Sequence, residues 1–239
     1  MSHLSLSRSH AVLRIDAGAA APILEEVVSE HLLRVDVAGE AAFTLSCSPA
    51  HLEELVTGAL FSRSLISAAS DVKSLSFSED LGYARAELTP GAPAPRSHPG
   101  SGVLRLKYSH LCGLMERNLT ASSLFRRTGG MHCVSLSLPE SPILSMEDLA
   151  RHNAVDKVIG YALLHDLPLE CSVLAVSGRL SADMMEKAVR AGIPVVLSKG
   201  APTDRSIRIA QENGVTLAGF VRGERVNLYT CPERIDITI

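Results

Sequence analysis

The sequence predicts an α/β protein in two parts: a small N-terminal α+β unit over residues 1–102 and a C-terminal α/β domain over residues 103–239. Three observations carry this. From Ser172 to Val221, short apolar runs alternate with helical patterns through brief loops, the order of a parallel sheet with right-handed crossovers. Ahead of residue 90, β-type runs outnumber helical ones and include a hairpin signal. Between the two lies Thr89-Pro-Gly-Ala-Pro-Ala-Pro-Arg-Ser-His-Pro-Gly-Ser101, rich in residues that interrupt helices and central strands, so the boundary is placed there.

In chain order, residues 1–26 are rich in Ser and Ala and are expected to be loosely ordered or an edge segment. His31 to Val37, a turn at Gly39-Glu40, and Ala42 to Ser46 read as a hairpin. Ser48-Pro49 reads as a helix start with Ser48 as cap, and Leu52, Leu55, Val56, Ala59 and Leu60 share one side of that helix. Val72 to Phe77 and Tyr83 to Leu88 read as strands, and Val103 to Lys107 as another. Leu111, Leu114, Met115, Leu119 and Ser122 recur at helical spacing, predicting an amphipathic helix from Tyr108 to Phe125. His132 to Leu138 alternates as a strand does. A helix is then expected from Ser145 through Gly160, with Ser145 and Asp148 as its capping box. Ser172 to Val176, Ile193 to Leu197 and Val215 to Val221 are the sheet strands. Helices capped by Ser181 and Thr203 connect them.

Composition narrows the function. A hydrophobic content of 46% with 4% aromatic residues and no Trp specifies an aliphatic core. Net charge −3 does not suit a general nucleic-acid binder, and no apolar run is long enough for a membrane span. The first twenty residues carry Arg8, Arg14 and Asp16 and lack a signal peptide's apolar stretch. Five cysteines, at 47, 112, 133, 171 and 231, have neither metal-site nor disulfide-framework spacing. An odd, scattered set suits a reducing, cytoplasmic compartment.

Within 145–160 the residues Val155, Val158, Ile159, Ala162 and Leu163 lie on one helical arc, and Asp148, Arg151 and His152 fall in the same arc earlier on. Inward ionisable groups need partners or a ligand. The face is therefore either the wall of a site that continues into the core, which we favour, or an internal ion-pair network. The run Asp148-Leu-Ala-Arg151-His152-Asn153-Ala154-Val155-Asp156-Lys157-Val158-Ile159-Gly160 resembles the signature of the formate dehydrogenase accessory sulfurtransferases, the FdhD/NarQ family. Thr128-Gly-Gly-Met-His132, Ser177-Gly-Arg179, and Gly219-Phe-Val-Arg222 with Tyr229-Thr230 match its pattern in order, and the likeness runs from about Val28 onward. The resemblance implies a C-terminal three-layer α/β domain similar to the cytidine deaminase fold. The zinc deaminase signature, His-x-Glu with Pro-Cys-x-x-Cys, is missing, so neither hydrolytic deamination nor a tightly held metal is expected. It further implies a cytoplasmic homodimer that takes sulfur from a cysteine desulfurase. That sulfur passes to a molybdenum or tungsten bis-pterin guanine dinucleotide cofactor, here Mo-bis(molybdopterin guanine dinucleotide) as bound ligand, on behalf of formate dehydrogenase.

The site residues follow from pattern and resemblance together. Ser177-Gly178-Arg179 and Ser198-Lys-Gly200 leave strand ends with small residues and one cation each, a combination that suits phosphate; ordinary strand-to-helix turns are the other reading. Phe220-Val221-Arg222-Gly223-Glu224-Arg225 reads unaided as a charged hairpin turn, and the resemblance makes it a cofactor-binding segment. His132 follows a glycine turn, and with His152 would give the site two groups titrating near neutrality, Arg151 standing beside them. The family carries its persulfide on a Cys-Gly-x-Cys-Gly loop. Here Cys112-Gly113-Leu114-Met115-Glu116 retains the first Cys-Gly alone, in a helical context, so Cys112 is the candidate carrier and a buried helical thiol is its alternative. Cys133 is a second candidate without a family counterpart, and Cys171 is expected on a central strand. Two functions remain: a sulfurtransferase with Cys112 as persulfide carrier, or a non-catalytic cofactor-binding chaperone of formate dehydrogenase that has lost the Cys-Gly-x-Cys motif, Pro90 to Gly102 standing near where that loop would lie.

Overall fold

The computed structural model describes residues 4–89, 104–138 and 144–237, and most of the Pro- and Gly-rich stretch at the expected boundary lies outside them. The N-terminal segment is not loosely ordered. β1 (Ser7–Asp16) and β2 (Ala19–Val28) pair over their whole length, Ser7 opposite Val28 and Asp16 opposite Ala19. Ala17 and Gly18 join them with positive φ at both positions, the turn geometry that suits twisted strands. An Ala in that conformation is what hid the hairpin from the sequence.

β3 (His31–Val37) and β4 (Glu40–Cys47) form the expected hairpin. With β5 (Val72–Phe77) and β6 (Tyr83–Leu88) they make a four-stranded sheet in the order β4-β3-β6-β5. Its buried side chains, Leu33, Val35, Leu45, Ala84 and Ala86, share a core with Leu55, Val56, Ala59 and Leu60 of α1 (Leu52–Ser62). Ser48 does not cap this helix, which starts four residues later behind His51 in the left-handed region. Ser48 is instead buried, and both its N–H and its hydroxyl donate to Asp148 Oδ2, at 3.0 and 3.2 Å. A buried carboxylate a hundred residues away outcompetes the local cap.

β7 (Leu106–Lys107) leads into α2 (Tyr108–Ala121) and α3 (Ser123–Thr128). There follow β8 (His132–Ser137), β9 (Leu144–Asp148), α4 (Arg151–Leu164), β10 (Val173–Val176), α5 (Ala182–Arg190), β11 (Val195–Ser198), α6 (Asp204–Glu212), β12 (Thr216–Arg222), β13 (Arg225–Thr230) and β14 (Ile235–Asp236). The large sheet runs β13-β12-β11-β10-β8-β9, with β10, β11 and β12 parallel as predicted and the rest antiparallel to their neighbours. Alternate side chains on its central strands point to opposite faces. Val173, Ala175, Val195, Leu197 and Ala218 meet Leu111, Leu114 and Met115 of α2. Leu174, Val176, Val196 and Leu217 meet α4, α5 and their neighbours. The result is a three-layer α/β arrangement, buried on both faces as parallel strands require.

The start of the signature segment differs from expectation. Residues 145–148 belong to β9, and α4 begins only at Arg151. Ser145 lies opposite Ser135 of β8, their hydroxyls 2.7 Å apart, so ladder pairing replaces the capping box. Further along, the predicted stripe is correct: Val155, Val158, Ile159, Ala162 and Leu163 are all buried, each worth roughly 0.8–3 kcal/mol by size. α4 lies directly on α1. A Cβ placed on Gly160 would fall 1.9 Å from the Glu54 carbonyl oxygen, and one on Gly58 1.9 Å from that of Asp156. Only glycine allows such an approach. Among the described residues, no helix is long and apolar enough to cross a membrane.

Candidate functional site

The site stands on a sealed network below it. Asp148 and Lys157 are fully buried and 2.7 Å apart. Lys157 Nζ also donates to Ser48 Oγ at 2.8 Å and the Glu147 carbonyl at 3.1 Å. Asn153 Nδ2 donates to Asp148 Oδ1 and to the Ser46 carbonyl. One turn on, Asp156 accepts from Ser62 Oγ and pairs with Lys187 at 2.7 Å. Burial raises the Asp156 carboxyl, with Lys187 and Ser62 opposing it. The ion-pair reading therefore holds for Asp148, which joins the ends of β4 and β9 to α4. Arg151, at the first turn of α4, stands instead beside His132 and the Gly178 loop.

Above the network, the ends of β10, β11 and β12 bring three loops side by side. Ser198 Oγ donates to the Gly178 carbonyl at 2.7 Å and accepts from Gly200 N at 3.1 Å. Phe220 N donates to the Gly200 carbonyl, and Arg222 Nε to the Lys199 carbonyl at 3.3 Å. A Cβ on Gly200 would lie 3.0 Å from the Arg179 Cα, and one on Gly178 3.3 Å from His132 Nδ1 and 3.4 Å from Arg151 Cδ. These glycines let the loops nest. Among the described residues, Arg151, Arg179, Lys199, Arg222 and Arg225 have no carboxylate within ion-pair distance. An edge of uncommitted cations attracts anions.

A groove of about 670 Å³ runs between α2 and the β12–β13 turn. Cys112 lies in its wall with Tyr108 and Glu116, and Val221, Arg222, Gly223 and Glu224 face them. A smaller cavity of about 120 Å³ adjoins it across Leu119 and holds His132, Cys133, Ser177 and Lys199. The fold thus unites Cys112 with Arg222 and Glu224, and His132 with Ser177. Arg179 is exposed and lines neither cavity, Phe220 lies beneath the Arg225 guanidinium, and His152, also outside both cavities, lies beside Lys187. Local patterns did not reveal Tyr108 or Glu116 as wall residues; the one signal for Tyr108 is its position four residues before Cys112 on a helix.

Burial, the Arg151 charge and His152 lower the His132 imidazole, with Asp148 opposing. Burial and Lys187 lower that of His152, against Asp183, Asp156 and Asp148. Both shifts favour the neutral ring. The cysteines divide clearly. Cys47 and Cys133 are buried and their thiols are pushed up to about 12 by burial, which disfavours the thiolate at both. Cys171 is not on the central strand but exposed in the short turn before it, because β10 begins two residues later. Cys112 is half-buried and open to the groove.

The sequence model of the FdhD/NarQ family matches residues 94–236. A sulfur carrier protein FdhD from Bacillus pumilus is 35% identical over 88% of this chain and 90% of its own. Its namesake from Bacillus subtilis is 33% identical over 94% and 95%. A crystal structure from Desulfotalea psychrophila, described as a formate dehydrogenase accessory protein, matches with TM-score 0.84 at 27% identity, covering 97% of this chain and 100% of that one.

Proposed function

Because this chain belongs to the FdhD/NarQ family, we propose that it is a sulfur carrier that matures formate dehydrogenase, with Cys112 as the persulfide-bearing residue. A cysteine desulfurase supplies the sulfur in the cytoplasm, where scattered thiols stay reduced. The acceptor is a molybdenum or tungsten bis-pterin guanine dinucleotide cofactor, bound as substrate. One observation supports this above others: Cys112 shares a groove with Arg222, beside an edge of unpaired cations. A diphosphate lying on those cations would bring the remainder of its molecule toward the thiol. Two copies of the chain associate, as the resemblance implies, and the exposed Leu13, Ile15 and Leu24 of the N-terminal hairpin offer them a surface.

Incubation with a cysteine desulfurase and cysteine, followed by mass spectrometry, tests the reading. One added sulfur should map to Cys112 and be absent in Cys112→Ser. GDP, a fragment of the cofactor, should bind by calorimetry, and Arg222→Ala should weaken it by about 1.5–3 kcal/mol, the effect of one charge-assisted contact. Cys112→Ser should leave that affinity intact. The second reading, a cofactor-binding chaperone without sulfur transfer, is favoured by one observation: Cys112 sits within α2, and Met115 and Glu116 stand where the family loop has its second Cys-Gly. GDP binding with no sulfur on any cysteine would establish it.

A further inference from the structure

We propose that Tyr108 is the sulfur-positioning residue of the groove, its phenol O–H donating to the Cys112 sulfur and holding it toward Arg222 and Glu224. The inference rests on the reading of Cys112 as carrier and names what that cysteine needs around it. Tyr108 opens α2 and Cys112 lies four residues on, so the two side chains share one face of the helix. Both line the same groove, which puts the phenol and the sulfur side by side in one wall. Burial, the neighbouring sulfur and the Glu224 carboxylate raise the phenol above its ordinary value of 10.0, which favours the protonated form that can donate. The charged groups facing the sulfur are Glu116 on α2 and Arg222 and Glu224 across the groove. The two carboxylates oppose a negative sulfur, and Arg222 favours one.

Two sulfur transfers use that hydrogen bond. In loading, the Cys112 thiol gives its proton to groove water, and the thiolate attacks the outer sulfur of a donor persulfide. The new bond joins Cys112 sulfur to that outer sulfur. The donor's own S–S bond breaks, and its electron pair leaves on the donor thiolate, which water protonates. In unloading, a nucleophilic acceptor supplies an electron pair to the outer sulfur, the acceptor–sulfur bond forms, the Cys112 S–S bond breaks and its pair leaves on the Cys112 thiolate. The loading exchange is redox-neutral, and in unloading the acceptor itself provides the two electrons, so no separate oxidant or reductant is needed. Cys112 carries negative charge in both steps, as nucleophile and then as leaving group, and a neutral O–H donor stabilises each form.

The test uses the full-length chain and Tyr108→Phe, which keeps the ring and removes only the hydroxyl. Iodoacetamide alkylation of Cys112 is followed against pH by peptide mass spectrometry, with exposed Cys171 as internal reference. Tyr108→Phe should move the Cys112 profile to higher pH and slow its alkylation at neutral pH about tenfold, the weight of one hydrogen bond to a charged group. The Cys171 profile should not move. Tyr108→His, which restores a donor, should recover part of the shift. An unmoved Cys112 profile in a protein that still takes up sulfur on Cys112 overturns the role of Tyr108 and leaves the carrier reading standing. Absence of sulfur on Cys112 in the wild-type chain overturns the carrier reading and this inference with it.

Discussion

Single residues set the stability beneath the site. Asp148 neutralises an ammonium that has no route to water, since both partners of the pair are fully buried. Asp148→Ala should therefore cost about 3–5 kcal/mol in urea unfolding, because it strands the charge of Lys157. A loss under about 1 kcal/mol would mean that Lys157 sheds its proton or finds another partner. His132 and His152 predict a pH dependence. Both have folded-state values below the ordinary 6.5. Such groups bind protons more tightly when unfolded, so their contribution is complete above 6.5 and is lost as pH falls through the folded values. Melting temperature should drop as pH is lowered from about 7.5 to about 5, and the double variant His132→Gln with His152→Gln should flatten that drop.

The elements show where sequence reading succeeds. The buried stripe of α4 was legible because Val155, Val158, Ile159 and Ala162 repeat at its own period. So were β10, β11 and β12, short apolar runs that only a sheet covered on both sides can bury. The start of α4 was not, because the competing partner of Ser145 is Ser135, on a strand that no local pattern pairs with it. Ser48 was misread for the same reason. The loops carrying Arg179, Lys199 and Arg222 could be placed from the strand ends, but the groove that Cys112 shares with Arg222 exists only because α2 crosses β12. Helix contact gives a further prediction. Gly160→Ala drives a methyl into the Glu54 carbonyl and should destabilise the fold by about 1–3 kcal/mol or more, read by denaturant midpoint.

At the scale of the whole molecule, the hairpin of β1 and β2 stands out. Ala11, Leu13, Ile15, Ala20, Pro22 and Leu24 line one face of it, and Leu13, Ile15 and Leu24 are 65%, 69% and 76% exposed. A lone two-stranded ribbon is marginal in water, so an apolar face this open calls for cover. If two copies meet through this face, Leu13→Glu with Leu24→Glu should halve the mass seen by light scattering while leaving GDP affinity unchanged; an unchanged mass would mean that this face does not join copies of the chain. The meeting of Gly58 with Gly160 bears on anyone who would divide the chain. A fragment beginning near Leu104 would keep the groove and its cations yet expose the stripe of α4 that α1 now covers, and would be expected to precipitate on expression. Supplied together as separate polypeptides, the two pieces could still find one another, because backbone lies against backbone at that seam and the fit requires no peptide link across it.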